Sequence, residues 1–224
     1  MVKLHLSGLG TAVPPGVLVQ TDAAESSGSF CVANDRQARA LRILYGRSGV
    51  DSRNTVVVEA DQGTLEERVP FYPAATDPED RGPTTGERMA RYEAEAPSLA
   101  EAAARRALED AATPVDAVTH LVTVSCTGFF SPGLDAVLID RLGLCPGVER
   151  THIGFMGCHG ALNGLRVASS FLGANPDARV LVSAVELCTL HFAYGRDPQL
   201  VVANALFSDG AAAVVGVSGD SADA

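Results

Sequence analysis

The stretch "RTHIGFMGCHGALNGLRVASSFL", residues 150–172, decides the fold. Its first seven residues are an apolar, strand-like run, and from the cysteine onward apolar residues recur at helical spacing, so a short strand feeds a helix with Cys158 at the junction. Gly173 and Pro176 are expected to stop that helix. Ala161, Leu162, Leu165, Val167, Ala168, Phe171 and Leu172 lie around most of its circumference, which predicts burial on nearly all sides. A single sheet covers one side, so further chain or a second subunit is expected over the other. Gly160 and Gly164, four apart, would let another backbone approach closely.

Working outward, the same alternation repeats. "THLVTVSCT" reads as a buried strand, "PGLDAVLIDRLGL" as a helix, "ARVLVSAVEL" as a strand, and "DGAAAVVGVS" as a last strand after a tight "SDG" turn. Upstream, Val2–Gly8 reads as a strand with Val2, Leu4 and Leu6 on one face, ending in the turn "GTAVPPG". A helix is expected over Ala33–Tyr45, closed by Gly46, and then a loop, "GRSGVDSR". Residues 60–83, rich in Pro, Asp, Glu and Gly, read as a surface excursion within one domain spanning 1–224. Two helices should follow, broken at Pro97, with Ser98 and Glu101 as a capping box for the second. The pattern indicates an α/β fold with helices packed on a sheet.

Composition narrows the partners. With 224 residues, 46% of them hydrophobic, the chain can bury a substantial core. A formal net charge of -10 argues against nucleic acid or an anionic membrane as the main partner. No stretch approaches the roughly 18 to 20 apolar residues of a membrane helix, and the amino terminus lacks a signal-peptide core, so a cytoplasmic location is expected. The five cysteines (Cys31, Cys126, Cys145, Cys158, Cys188) show no CxxC spacing, so they are expected as free thiols, most of them buried, with neither disulfides nor a metal site.

A thiol is a useful nucleophile only as thiolate, and the positive end and free amides of a helix N-terminus favour that form. Strand-turn-helix junctions also present hydrolase nucleophiles beside oxyanion-binding amides. Cys158 is therefore a candidate nucleophile; the competing reading is a small buried apolar residue. His159 points about 100° away on the helix and is read as structural. His5, His120 and His152 lie in strand-like runs and are read as core or edge residues. His191, just past a strand end, is a candidate pocket residue or a bystander.

These residues resemble a known family, the type III polyketide synthases of the thiolase-like superfamily, which include chalcone and stilbene synthases. The resemblance rests on "VTHLVTVSCTGFFSPGLDAVLIDRLGL", "GFMGCHGALNGLRVASSFL", "ARVLVSAVELCTLHF" and "ALFSDGAAAVV", in the family's order, and more loosely on "ALRILYGRSGVDSR". It implies a mixed sheet with helices on both faces, forming the amino-terminal half of a thiolase-like fold. By it, Cys158 is the nucleophile that takes a starter acyl group from acyl-coenzyme A, for decarboxylative Claisen condensation with malonyl-coenzyme A. Phe207 matches a gating phenylalanine; Cys126, Thr127, Cys188 and His191 match pocket-lining positions; Arg47 and Arg42 fall near residues that hold coenzyme A phosphates.

The resemblance implies two substrates and no cofactor, a homodimer as the complete enzyme, and a carboxy-terminal half supplying a catalytic histidine and asparagine that this sequence does not contain. Condensation by this chain alone is therefore not expected, because losing even one such donor typically costs about 10² to 10³ in rate. Two alternatives are a ketoacyl synthase III-like condensing enzyme of fatty-acid synthesis, with an acyl carrier protein as partner, and a non-catalytic half that binds a full-length synthase.

Overall fold

A computed structural model describes residues 3–32 and 34–219. In chain order its elements are β1 (Lys3–Ala12), β2 (Val17–Val19), α1 (Gln20–Cys31), α2 (Asp35–Gly46), β3 (Ser52–Asn54), α3 (Leu65–Arg68), α4 (Thr85–Asp110), β4 (His120–Ser125), α5 (Leu134–Leu142), β5 (Glu149–Gly154), α6 (Gly160–Ala174), β6 (Val180–Leu187), α7 (Pro198–Leu206) and β7 (Asp209–Gly219). Short 3-10 turns occur at Val115–Ala117, Gly157–His159 and Cys188–His191. The chain forms two compact units: a sheet unit, which contains Tyr92–Glu186 together with β1 and nearly all of β7, and a helical unit formed by Val13–Arg91 and Leu187–Asp209.

The sheet unit has five strands in the order β1-β7-β6-β4-β5. Strand β4 runs parallel to both β5 and β6, whereas β1 is antiparallel to β7, so the sheet is mixed. All six residues of β4 are buried, which accounts for the continuous apolar run "HLVTVS". Helices cover both faces. On one, Ala168 and Leu172 of α6 pack with Val122, Val124, Val180 and Val182. On the other, α4 lies close against β1: a Cβ at Gly10 would fall 2.2 Å from the Ala103 carbonyl oxygen, so only glycine fits. The Tyr92 hydroxyl donates to Ser125 Oγ on the same face, at 2.7 Å.

Several expectations from the sequence are corrected. Strand β1 continues to Ala12, because the first residues of "GTAVPPG" are not a turn but the end of a strand whose Gly8 and Gly10 accommodate α4. A register shift between Leu6 and Gly8 breaks the expected alternation and leaves Leu6 exposed; Val2 lies outside the described residues. Helix α4 is continuous through Pro97. Proline in a helix interior costs about 3 kcal/mol, but the buried face of Tyr92, Ala96, Ala100, Ala103, Ala104 and Ala107 keeps its phase across the proline and outweighs that cost. The capping partners sit instead at its start: Thr84 Oγ1 accepts from the Glu87 amide at 3.2 Å, and Glu87 accepts from the Thr84 amide at 2.7 Å. Ser98 Oγ accepts from Arg141. Finally, α6 is buried within this chain along one stripe only, Gly160, Gly164, Ala168 and Leu172, and runs one residue past Gly173, while Leu162 is exposed.

In the helical unit, α2 begins where the Asn34 side chain accepts from the Gln37 amide at 3.1 Å, near the expected start; Ala33 itself lies outside the described residues. The end of "GRSGVDSR" is strand, not loop, with Leu18 opposite Arg53 across β2 and β3. Within residues 60–83 one turn, α3, is regular, closed by a Thr64–Glu67 capping box. The interior combines aromatic packing, with Phe30 stacked on Tyr194 at 4.4 Å, and buried polar groups. Among the described residues no helix is long and apolar enough to cross a membrane.

Candidate active site

The turn between β5 and α6 begins at Gly154, which pairs with Ser125 across the parallel strands. The next amide, of Phe155, donates to the Ser125 carbonyl at 3.2 Å. Phe155 then takes φ 58° and Gly157 φ 65°. A left-handed conformation costs a non-glycine residue about 1 to 2 kcal/mol, and here it coincides with an edge-to-face contact of Phe155 on Phe129 at 5.9 Å. The double reversal delivers Cys158 into the short turn Gly157–His159 ahead of α6, where its side chain is exposed. No side chain caps the first turn of α6, and His159 is exposed.

The two glycines of α6 fix how far this turn stands from the sheet. A Cβ at Gly160 would lie 2.9 Å from Val124 Cγ1, and one at Gly164 would lie 3.0 Å from Val182 Cγ1. The close approach is thus to valine methyls of β4 and β6, and not to another backbone as the spacing led one to expect.

Cys126 and Thr127 follow β4 directly. Their amides converge on the Glu186 carboxylate: Cys126 N–H donates to both oxygens at 2.9 and 3.1 Å, Thr127 N–H at 3.0 Å and Thr127 Oγ1 at 2.6 Å. The Gly157 amide donates to the Cys126 sulfur. Burial, then the neighbouring Glu186 carboxylate and its hydrogen bond, then Cys158, push the Cys126 thiol up to about 11, against the pull of that amide. Sequence reasoning missed Glu186. Its signal was a carboxylate inside the apolar run "VLVSAVEL", which a buried strand tolerates only when the charge has donors.

Cys158, Cys126 and Thr127 therefore belong to the sheet unit. The remaining candidates belong to the helical unit. Cys188 and His191 begin and end the turn Cys188–His191, the first half-buried and the second exposed. Phe207 ends α7 and is 46% exposed; its carbonyl accepts from the buried Arg53 at 3.1 Å. Arg53 also donates to the carbonyls of Asn204 at 2.6 Å and Ala205 at 2.9 Å, so it closes the C-terminus of α7 and sets where Phe207 begins. Arg42 lines a cavity of about 370 Å³ with Gln20, Tyr45 and Asp51, and Arg47 caps the C-terminus of α2 through its amide.

The cysteines are free, but only Cys31 is buried; Cys126 and Cys188 are half-buried, and Cys145 and Cys158 exposed, because four of the five lie in turns beyond strand or helix ends. His120 is buried, with Nδ1 2.8 Å from Thr119 Oγ1, and His152 pairs with Thr123 Oγ1 at 2.9 Å. Among the described residues no three His, Cys, Asp or Glu side chains converge as metal ligands would.

Residues 3–220 match the family of chalcone and stilbene synthases, N-terminal domain. An α-pyrone synthesis polyketide synthase-like protein of Mycobacterium tuberculosis is 32% identical over 211 residues, covering 94% of this chain and 50% of that protein. Among solved structures, a synthase of the brown alga Ectocarpus siliculosus superposes with a TM-score of 0.84 at 31% identity, covering 100% of this chain and 58% of that one. The type III polyketide synthase domain of a Dictyostelium type I/III hybrid also gives 0.84, at 28% identity, covering 98% and 58%. The chain thus spans about half the length of the relatives it matches. By this match over nearly all its length, and by a mixed sheet clothed on both faces, the chain belongs to the amino-terminal domain family of the type III polyketide synthases, the chalcone and stilbene synthases.

Proposed function

We propose that this chain is the nucleophile-bearing half of a type III polyketide synthase, and that Cys158 carries the acyl group. The observation that carries the reading is the exposed Cys158 at the strand-to-helix turn of a chain with this family's fold. The thiolate attacks the carbonyl of an acyl-coenzyme A, and coenzyme A leaves as the thiol. Malonyl-coenzyme A then loses carbon dioxide, its enolate attacks the bound thioester, and Cys158 is released for another round.

Two features support a partner half of the same fold that supplies the histidine and asparagine. The relatives are about twice as long, and α6 leaves Leu162 57% exposed, where it could pack against further polypeptide. Exposed Arg42 and Arg47, at the end of α2, are proposed to hold coenzyme A phosphates; Cys126 and Thr127 of the sheet unit, and Cys188, His191 and Phe207 of the helical unit, are each proposed as pocket-lining positions. A homodimer is the expected complete assembly.

The test is acylation. The chain is mixed with the carboxy-terminal half of a related synthase and a series of acyl-coenzyme A thioesters, and intact masses are read. One acyl group should appear per chain, on the tryptic peptide 151–166, and vanish in Cys158→Ala. An adduct that survives this substitution, or maps to another cysteine, removes Cys158 from the mechanism. If malonyl groups are used only from an acyl carrier protein, the fatty-acid condensing reading replaces this one.

A further inference from the structure

Two of the three cysteines of the sheet unit leave the same end of neighbouring parallel strands. Cys126 follows β4 directly, and Cys158 lies four residues beyond Gly154, the residue of β5 that pairs with Ser125. Left-handed Phe155 and Gly157 turn the chain back over the end of β4, so that the Gly157 amide reaches the Cys126 sulfur and places Cys158 one residue from that contact. The two thiols differ in access: Cys158 is exposed and Cys126 half-buried. Glu186 holds the backbone of Cys126 and Thr127 through three amide hydrogen bonds and also hydrogen-bonds the Cys126 thiol.

We infer that Cys158 and Cys126 form a reversible disulfide within the chain when it meets a peroxide, with Cys158 as the peroxide-reactive thiol and Cys126 as the resolving one. In the first step the Cys158 thiolate sulfur attacks one oxygen of hydrogen peroxide. The O–O bond breaks, Cys158 becomes a sulfenic acid, and hydroxide takes up the proton the thiol gave up and leaves as water. In the second, the Cys126 sulfur attacks the sulfenic sulfur, its proton passing to Glu186; the S–S bond forms, the S–O bond breaks, and the departing hydroxide recovers the proton as a second water. Two thiols and one peroxide thus give one disulfide and two waters, with two electrons passing from sulfur to oxygen.

Cys126, held up to about 11 chiefly by burial, stays protonated and is spared direct oxidation, while the adjacent carboxylate supplies the acceptor its later attack needs. The disulfide would take Cys158 out of any thioester chemistry and protect it from irreversible over-oxidation. The inference rests on the placement of the two sulfurs and does not depend on which acyl group Cys158 accepts.

The experiment needs only the chain itself. Trypsin places Cys126, Cys145 and Cys158 on separate peptides, 107–141, 142–150 and 151–166. The folded protein is given one equivalent of hydrogen peroxide, unreacted thiols are alkylated after denaturation, and the digest is read by mass spectrometry. The expected result is a loss of two alkylatable thiols from the five, a linked species of 107–141 with 151–166 lacking two hydrogens, and recovery of both thiols with dithiothreitol. Cys145→Ser should leave the link unchanged. In Cys126→Ala the link should vanish and, on addition of a second equivalent of peroxide, Cys158 should carry on to the sulfinic acid. The inference is overturned if Cys158 gains two oxygens in the parent protein while Cys126 remains alkylatable, or if the link joins two chains or uses another cysteine.

Discussion

Along the α6 face of the sheet unit the interior is closed by side chains with no hydrogen-bonding group: Val122, Val124, Ala168, Leu172, Val180 and Val182. The interior of the helical unit is instead threaded by polar side chains. Asp209 accepts from the amides of Val56 at 2.9 Å and Thr189 at 2.8 Å, the Tyr72 hydroxyl donates to the Thr189 carbonyl at 2.6 Å, and Arg53, 3% exposed, serves three carbonyls around the end of α7. The reason is the amount of regular structure. In the sheet unit backbone groups satisfy one another across the ladder, whereas the short elements and loops of the helical unit leave carbonyls and amides that side chains must meet. Apolar packing therefore tolerates small changes of shape, and the polar interior depends on individual atoms.

Removing Arg53 is the strongest way to break this contrast. Arg53→Met keeps the volume and strips the donors from the carbonyls of Asn204, Ala205 and Phe207 and from the Gln20 side chain, leaving buried acceptors unpaired. A loss of about 3 to 5 kcal/mol is expected, read as a lower urea midpoint, with amide exchange in α7 accelerated before that in β4. A loss below about 1 kcal/mol would mean that water replaces the guanidinium and that this interior is not specified by single atoms.

That difference also governs what could be read without a structure. Strands β4, β5, β6 and β7 and helix α5 were legible because a core that buries whole faces imposes apolar runs and helical periods on the sequence. Helix α1 was missed: its buried side includes Ala23, Ala24 and Ser27, too small to stand out from the polar residues between them. Helix α7 was missed too: its weak periodicity hid it, although Asp197 caps it and Pro198 occupies its first turn as a start signal. At the site, Cys158 was visible because strand, turn and helix are contiguous in sequence. The grip of Glu186 on Cys126 and Thr127 was not, because hydrogen bonds across about sixty residues leave no local pattern.

A smaller effect sharpens the comparison through the cysteines. Burial lifts the Cys31 thiol of the helical unit to about 11 from its ordinary 9, against a lowering hydrogen bond from Asn204. Below pH 9 the thiol is protonated in folded and unfolded chains alike and its contribution is fully present. Between pH 9 and 11 the unfolded chain ionises first, so unfolding releases a proton and stability falls, by about 2 kcal/mol once pH passes the folded value. Urea midpoints of the parent chain and Cys31→Ala, measured at intervals from pH 8 to 11, should converge by that amount. Parallel curves would show that water reaches Cys31 in the folded state.

The smallest expected effect lies on the other side of α6. Leu162 is 57% exposed, on the same helix whose Leu172 is fully buried. Leu162→Ser removes apolar area that already faces water, so the unfolding free energy of this chain should change by no more than about 0.5 kcal/mol. A leucine ordinarily stabilises a protein through the area it takes out of water, and here that area is still available. Near-neutrality in the isolated chain, combined with a weakened association when a carboxy-terminal half is added, would place the stabilising role of Leu162 at a surface between halves. A cost above about 1 kcal/mol in the chain alone would mean that both faces of α6 are already covered, and the contrast between its two sides would fall.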